Sequence, residues 1–153
     1  MMTQMREPLR ATRADAFALG EFLRSVDLTT TGLDDPDVFL WIDLDPDGRI
    51  VASTGFELAD EHALIRSVAV APQLRRSGRG LELASFALAQ AEAAGARRAW
   101  LMSRRSGAFW QKLGFESADI HQLTAALLST SQVKAFAASG QLDYETAWTR
   151  TLP

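Results

Sequence analysis

Between Val68 and Ala89 the chain reads VAVAPQLRRSGRGLELASFALA, and its chemistry-bearing residues crowd into Arg75, Arg76, Ser77, Gly78, Arg79 and Gly80. A strand-like apolar run precedes them and a helix-forming run follows. Three arginines therefore stand at a helix N-terminus, where the macrodipole is already positive. Like charges there repel unless an anion sits among them. A strand, a glycine-bearing loop and a helix N-terminus together bind phosphate through backbone N–H groups. Gly78 and Gly80 leave room for a ligand to approach the main chain, and the arginines can add charge-assisted hydrogen bonds. The plainer reading is a solvated arginine cluster in front of a helix. The spacing is not a Walker A loop, which needs Gly-Lys-Ser/Thr, nor the three-glycine dinucleotide fingerprint.

A second residue that could do chemistry is Arg66, which interrupts the apolar run ALIRSVAVA. A guanidinium in a central strand is costly to bury unless it is paired. It meets either an internal carboxylate, such as Glu57, or the carboxylate of a bound molecule, for which its planar fork is suited. Strand alternation puts Leu64, Arg66, Val68 and Val70 on one face unless a bulge intervenes.

Other combinations carry less. His62 beside Glu61, with Ser67, lacks the Gly-x-Ser-x-Gly elbow of a hydrolase. His121 follows a strand and reads as an edge or interface residue. Trp41, Trp100 and Trp148 sit inside strands and read as core. The carboxylates of DLDPDG lack the twelfth-position Glu of a calcium loop and fit a hairpin better. With no cysteine and two histidines far apart, no metal site is expected.

The elements that must position these residues follow from periodicity and turn chemistry. PLRAT is a short strand, and Thr12 with Asp15 makes a capping box before a helix with Ala16, Leu19, Leu23 and Val26 at helical spacing. Asp27–Asp37, polar and rich in turn formers, is a loop or a broken short helix. VFLWIDL and RIVASTGFEL are strands joined by the Asp45–Gly48 turn, and HALIRSVAVA is the fourth strand. The helix after the arginine loop stops at Gly95. RRAWLMS, FESADI and YETAWTRTL read as strands; SGAFWQKL and TSQVKAFAAS read as helices. This order makes one α/β domain over residues 1–153, a mixed, mostly antiparallel sheet flanked by helices. At 153 residues, 47% hydrophobic and 23% charged, the chain suits a globular domain. A net charge of −3 gives no field toward nucleic acid or acidic membranes. MMTQMREP lacks a signal peptide's apolar run, so a cytoplasmic protein is the default expectation.

VAVAPQLRRSGRGLEL resembles the acyl-CoA-binding motif of the GNAT acetyltransferases, in which a Gln or Arg is followed after two residues by Gly-x-Gly/Ala. Arg75, Gly78 and Gly80 match it. GAFWQKLGF, Gly107–Phe115, resembles the aromatic-rich short helix that comes next in that superfamily. The resemblance implies a GNAT fold with the acyl-CoA site at the splay after the fourth strand. It implies that amides of about Arg76–Gly80 hold the diphosphate of acetyl-CoA. The strand end, Val68, Ala69 and Val70, would hydrogen-bond the pantetheine arm and polarise the thioester carbonyl. Ser103 stands where many members carry a pantetheine-holding asparagine, and Trp110 where many carry a tyrosine acid. Tyr144, the only tyrosine, lies elsewhere. A thiol leaves with a pKa of roughly 8–9, so its full protonation in the transition state is not essential.

A narrower resemblance joins DLTTTGLDDPDVF, IVASTGFEL and ALIRSVAVAP to the small acetyltransferases of bacterial arsenic-resistance clusters. The reading adopted is a small, amino-acid-like amine acceptor attacking acetyl-CoA in a ternary complex. In it Arg66 takes the acceptor's carboxylate unless an internal carboxylate holds it, and Glu57, the glutamate of the GFE stretch, is either the base, directly or through water, or a solvated strand-edge residue. A homodimer is implied by family resemblance alone. The alternatives are a non-catalytic acyl-CoA-binding module and an enzyme acting on a protein amine.

Overall fold

The computed structural model describes residues 6–153. Met1–Met5, the start of the stretch read above for a signal peptide, lies outside the described residues. Seven strands form one sheet: β1 (Leu9–Arg10), β2 (Val38–Leu44), β3 (Ile50–Ala59), β4 (His62–Val70), β5 (Arg98–Met102), β6 (Glu116–Ala118) and β7 (Ala147–Thr151). Their order is β1-β2-β3-β4-β5-β7-β6. Every neighbouring pair is antiparallel except β4 with β5. This is the single-domain, mostly antiparallel α/β arrangement that the sequence implies.

Alternation along the strands feeds two cores, one on each face. On one face α2 (Arg79–Ala93) and α3 (Gly107–Lys112) cover Trp41, Phe56, Ala63, Ile65, Ala99 and Leu101. On the other, α1 (Ala16–Ser25) covers Leu40 and Ile42, and α4 (Ile120–Ala126) with α5 (Ser131–Ser139) covers Leu64 and Trp100. Trp148 is half-buried. No helix of the described residues is long and apolar enough to cross a membrane.

Two sequence expectations need correction. His121 is not at a sheet edge: it lies exposed in the first turn of α4, a helix the periodicity did not reveal. The second concerns β4. Its register with β3 jumps between Ser53↔Ala69 and Gly55↔Arg66, so one extra residue is inserted, and Ser67 takes φ 60°. The bulge reverses the alternation. Arg66 stays on the face of Leu64, toward α5, whereas Val68 and Val70 turn to the α2 face.

Candidate active site

β4 and β5 are paired only over His62–Leu64 with Arg98–Trp100. Beyond that point β4 stays with β3 as far as Val70, while β5 stays with β7 as far as Met102. The two strands diverge, and a cleft of about 740 Å³ opens between them. Ile65–Val70 form one wall and Met102–Ser106 the other. The backbone edge of β4 facing β5 is thus left without a strand partner over the segment predicted to take an extended ligand arm.

The arginine loop closes one end of the cleft. After β4 come a short 3₁₀ turn, Pro72–Leu74, and an exposed segment, Arg75–Gly78, before α2. Arg76 (φ 71°) and Gly78 (φ 86°) are left-handed, which makes Gly78 the residue suited to its place. A Cβ on Gly78 would meet nothing within 4 Å; one on Gly80 would sit 3.7 Å from Val70. The space beside Gly78 is open. Glu82 N–H to Gly78 C=O, at 3.2 Å, is the bond that opens the helix ladder. The amides of Gly80 and Leu81 precede it and have no intrahelical acceptor. With the dipole they form an anion-binding end.

The three arginines divide the work. Arg79 does not extend into solvent. Its Nε and Nη2 donate to Asp43 Oδ2 and Oδ1 at 2.6 and 2.8 Å, and Asp43 is buried on β2. The hydrogen bonds to Asp43 push the Arg79 pKa up. Its side chain therefore ties the start of α2 to the sheet, and its contribution to an anion site falls to its backbone. Arg75 Nε donates to Val70 C=O at 3.3 Å and steadies the strand end. Arg76 is exposed and makes no side-chain hydrogen bond or ion pair among the described residues.

Deeper in the cleft, Arg66 has the internal carboxylate that the sequence offered as one of two partners. Its Nη1 donates to Glu57 Oε2 at 2.9 Å, with side-chain exposures of 1% and 4%. Its Nε donates to Ser67 Oγ at 3.2 Å. Burial pulls the Arg66 pKa down, and the Glu57 charge opposes that pull. Glu57 also accepts the N–H groups of Ser131 (2.7 Å, Oε1) and Gln132 (3.1 Å, Oε2), the first amides of α5. Three donors converge on one carboxylate. Glu57 itself lines a neighbouring cleft of about 790 Å³ with Asp35, Phe39 and Lys134. The ion pair is a partition between two cavities. Among the described residues, two buried atoms of the wall have no partner: Arg66 Nη2 and Gln132 Oε1.

Ser103 lines the cleft, but its hydroxyl is engaged with Ser106, at 2.6 Å to Oγ and 3.1 Å to the amide. Trp110 is buried in the α2-side core, edge-on to Phe109 and Phe115, with centroids 5.0 and 5.4 Å away. Tyr144 is 72% exposed. Sequence reasoning missed the other end of the cleft, which Leu28, Gln132, Phe136 and Glu145 line. The only signal for Gln132 and Phe136 is their four-residue spacing on one helix, and it cannot say what that helix faces. Glu145 accepts from Gln141 Nε2 at 2.6 Å and stands 3.6 Å from Arg104.

The comparisons agree with this geometry. The model of the Acetyltransferase (GNAT) family matches residues 6–115. Among curated proteins no relative matches. Among solved structures, the chain is similar to a GNAT-family acetyltransferase of Staphylococcus aureus Mu50, with TM-score 0.73, 13% identity, and 96% of this chain and 99% of that one covered. It is similar to Rv2747 of Mycobacterium tuberculosis, solved with CoA, at TM-score 0.71 and 16% identity over 97% and 100%. The N-acetylglutamate synthase of Neisseria gonorrhoeae, complexed with coenzyme A and N-acetyl-glutamate, gives TM-score 0.73 and 15% identity. There the match covers 99% of this chain and 36% of the synthase. With a matching family model over most of its length and a splayed sheet behind a glycine–arginine loop, the chain belongs to the GNAT family of acetyl-CoA-dependent acyltransferases.

Proposed function

We propose that the acceptor is the primary amine of a small, amino-acid-like molecule, acetylated by direct attack while acetyl-CoA is bound. The carrying observation is the shape of the cleft: the arginine loop bounds one end, and α5, Leu28 and Glu145 bound the other. Between those ends the buried Arg66 and Gln132 side chains line the wall, and their polar groups suit a small, polar acceptor. The resemblance to the arsenic-resistance acetyltransferases supports the same class and suggests a role in bacterial resistance. A cytoplasmic setting and a homodimer belong to the same proposal.

In this reading the loop amides of Arg76–Gly80 hold the diphosphate, with Arg75 and Arg76 supplying positive charge. The β4 edge over Val68–Val70 takes the pantetheine arm, and Ser103 borders it. The amine nitrogen attacks the thioester carbonyl carbon, the C–S bond breaks, and CoA leaves as thiolate. The nitrogen loses a proton, and one proton finally resides on the thiol. Glu57, expected as the base, already accepts three N–H groups and faces the neighbouring cavity. We assign it the task of fixing Arg66 and α5, and we route the proton through cleft water past Glu145. Trp110 carries no proton of useful acidity, so the thiolate departs unassisted by that position.

The test is free-thiol release from acetyl-CoA with a panel of amines, alongside calorimetry of CoA binding. Binding with amine-dependent thiol release supports the reading. Binding without release from any amine leaves the acyl-CoA-binding module as the better account. Turnover only on peptide or protein amines favours the protein-modifying alternative.

A further inference from the structure

The wall of the cleft holds a complementary pair of unpartnered groups. Among the described residues Arg66 Nη2 is a donor without an acceptor and Gln132 Oε1 an acceptor without a donor. Both residues are buried, at 4% and 8% exposure, and both line the cleft. They are also fixed to each other through a third group. Arg66 Nη1 and the Gln132 amide both donate to Glu57 Oε2, so β4 and the first turn of α5 share one carboxylate oxygen. Buried polar groups are normally satisfied, and each exception in a rigid network calls for a ligand or water.

We infer that Gln132 is a specificity-determining residue of the acceptor site, which with Arg66 selects an α-amino acid. The inference rests on the acetyl-transfer reading above. A carboxylate alone offers only acceptors and would leave Gln132 Oε1 unpaired. An alkylamine alone offers only donors and would leave Arg66 Nη2 unpaired. An α-amino acid brings both on one carbon: its carboxylate goes to Arg66 Nη2 and an amine N–H to Gln132 Oε1. Because the neutral amine donates to Gln132, its lone pair stays free for the thioester carbonyl. Phe136, one turn along α5 and in the same cleft, offers apolar surface to the side chain. Glu57 is then a positioning residue, since it sets the distance between the two recognising groups without touching substrate.

Arg66 variants risk unfolding, so the experiment centres on Gln132. The probes are pairs that differ only in the α-carboxylate: L-phenylalanine with phenethylamine, and L-leucine with isopentylamine. Free-thiol release gives kcat and KM for each, calorimetry gives the Kd of acetyl-CoA, and melting monitors the fold. The parent should use the amino acids at least a hundredfold better than their decarboxylated partners. Gln132→Met should raise the amino-acid KM at least tenfold while leaving the Kd of acetyl-CoA within twofold and melting unchanged. Gln132→Asn should give a smaller rise. Equal use of amines and amino acids, or an unchanged KM in Gln132→Met, overturns the inference while the acetyl-transfer reading stands. A CoA complex that releases no thiol with any amine overturns both.

Discussion

Arg76 and Arg79 are three residues apart and of one type, yet the structure gives them opposite roles. Arg79 is locked bidentately on buried Asp43, and Arg76 is exposed and has no side-chain partner among the described residues. Arg79→Ala leaves a buried carboxylate without its main partner and should destabilise the fold by about 3–5 kcal/mol. Arg76→Ala should change stability by less than about 0.5 kcal/mol. It should weaken acetyl-CoA binding, increasingly so at low salt, where a free cation acts furthest. Chemical denaturation and calorimetry of the two variants check this; equal melting would contradict it. Arg66→Ala belongs with Arg79→Ala. It leaves Glu57, 4% exposed, with two amide donors but without the Arg66 charge, and should lower stability by about 3–5 kcal/mol, read by denaturation.

At the scale of elements, the loop before α2 and the cap of α5 are where single changes reach function. Gly78→Val puts a β-branched residue at φ 86° in open space. The strain is local, on the order of 1–2 kcal/mol, and the bulk lies where a diphosphate would approach. The expected result is a folded protein with acetyl-CoA affinity lost by calorimetry. Thr130 caps α5, its hydroxyl accepting the Val133 N–H at 3.4 Å. Thr130→Ala should cost about 1 kcal/mol and raise the acceptor KM, since α5 carries Gln132 and Phe136. β2 was legible to the residue as Val38–Leu44, because a run of apolar, strand-forming residues is bounded by turn residues on both sides. The bulge at Ser67 was not, because an inserted residue leaves no mark in a run of apolar and small side chains. Nor was α4: its seven residues are too few for a helical period to stand out, and its cap, Asp119, was absorbed into a strand. The glycine–arginine loop was legible as an anion site, but not the division of its arginines. That depends on Asp43, 36 positions away. The docking of α5 on Glu57 spans 74 and 75 positions and is equally beyond local pattern.

For the molecule as a whole, acetyl-CoA binding should act as a stabiliser. A ligand at a hundred times its Kd adds about 2.7 kcal/mol to the native state. For a chain of this size that is a rise in Tm of roughly 5–11 °C. A melting series in acetyl-CoA concentration checks it, and Gly78→Val should flatten the series.

Only three residue pairs hold β4 to β5. Four strands lie to one side of that seam and three to the other. Among the pairings between interior strands, backbone continuity is thinnest there, so the seam is where the molecule should breathe. In amide hydrogen exchange, β3 and the β3-facing amides of β4 should be among the slowest, protected by a ladder that runs to Val70. Amides on the splayed edge between Ile65 and Val70 should exchange orders of magnitude sooner. An added extended ligand would slow those amides first, because it completes the sheet as an eighth strand of foreign chemistry. The pattern of protection would thus outline the bound arm residue by residue, with no crystal of the complex required.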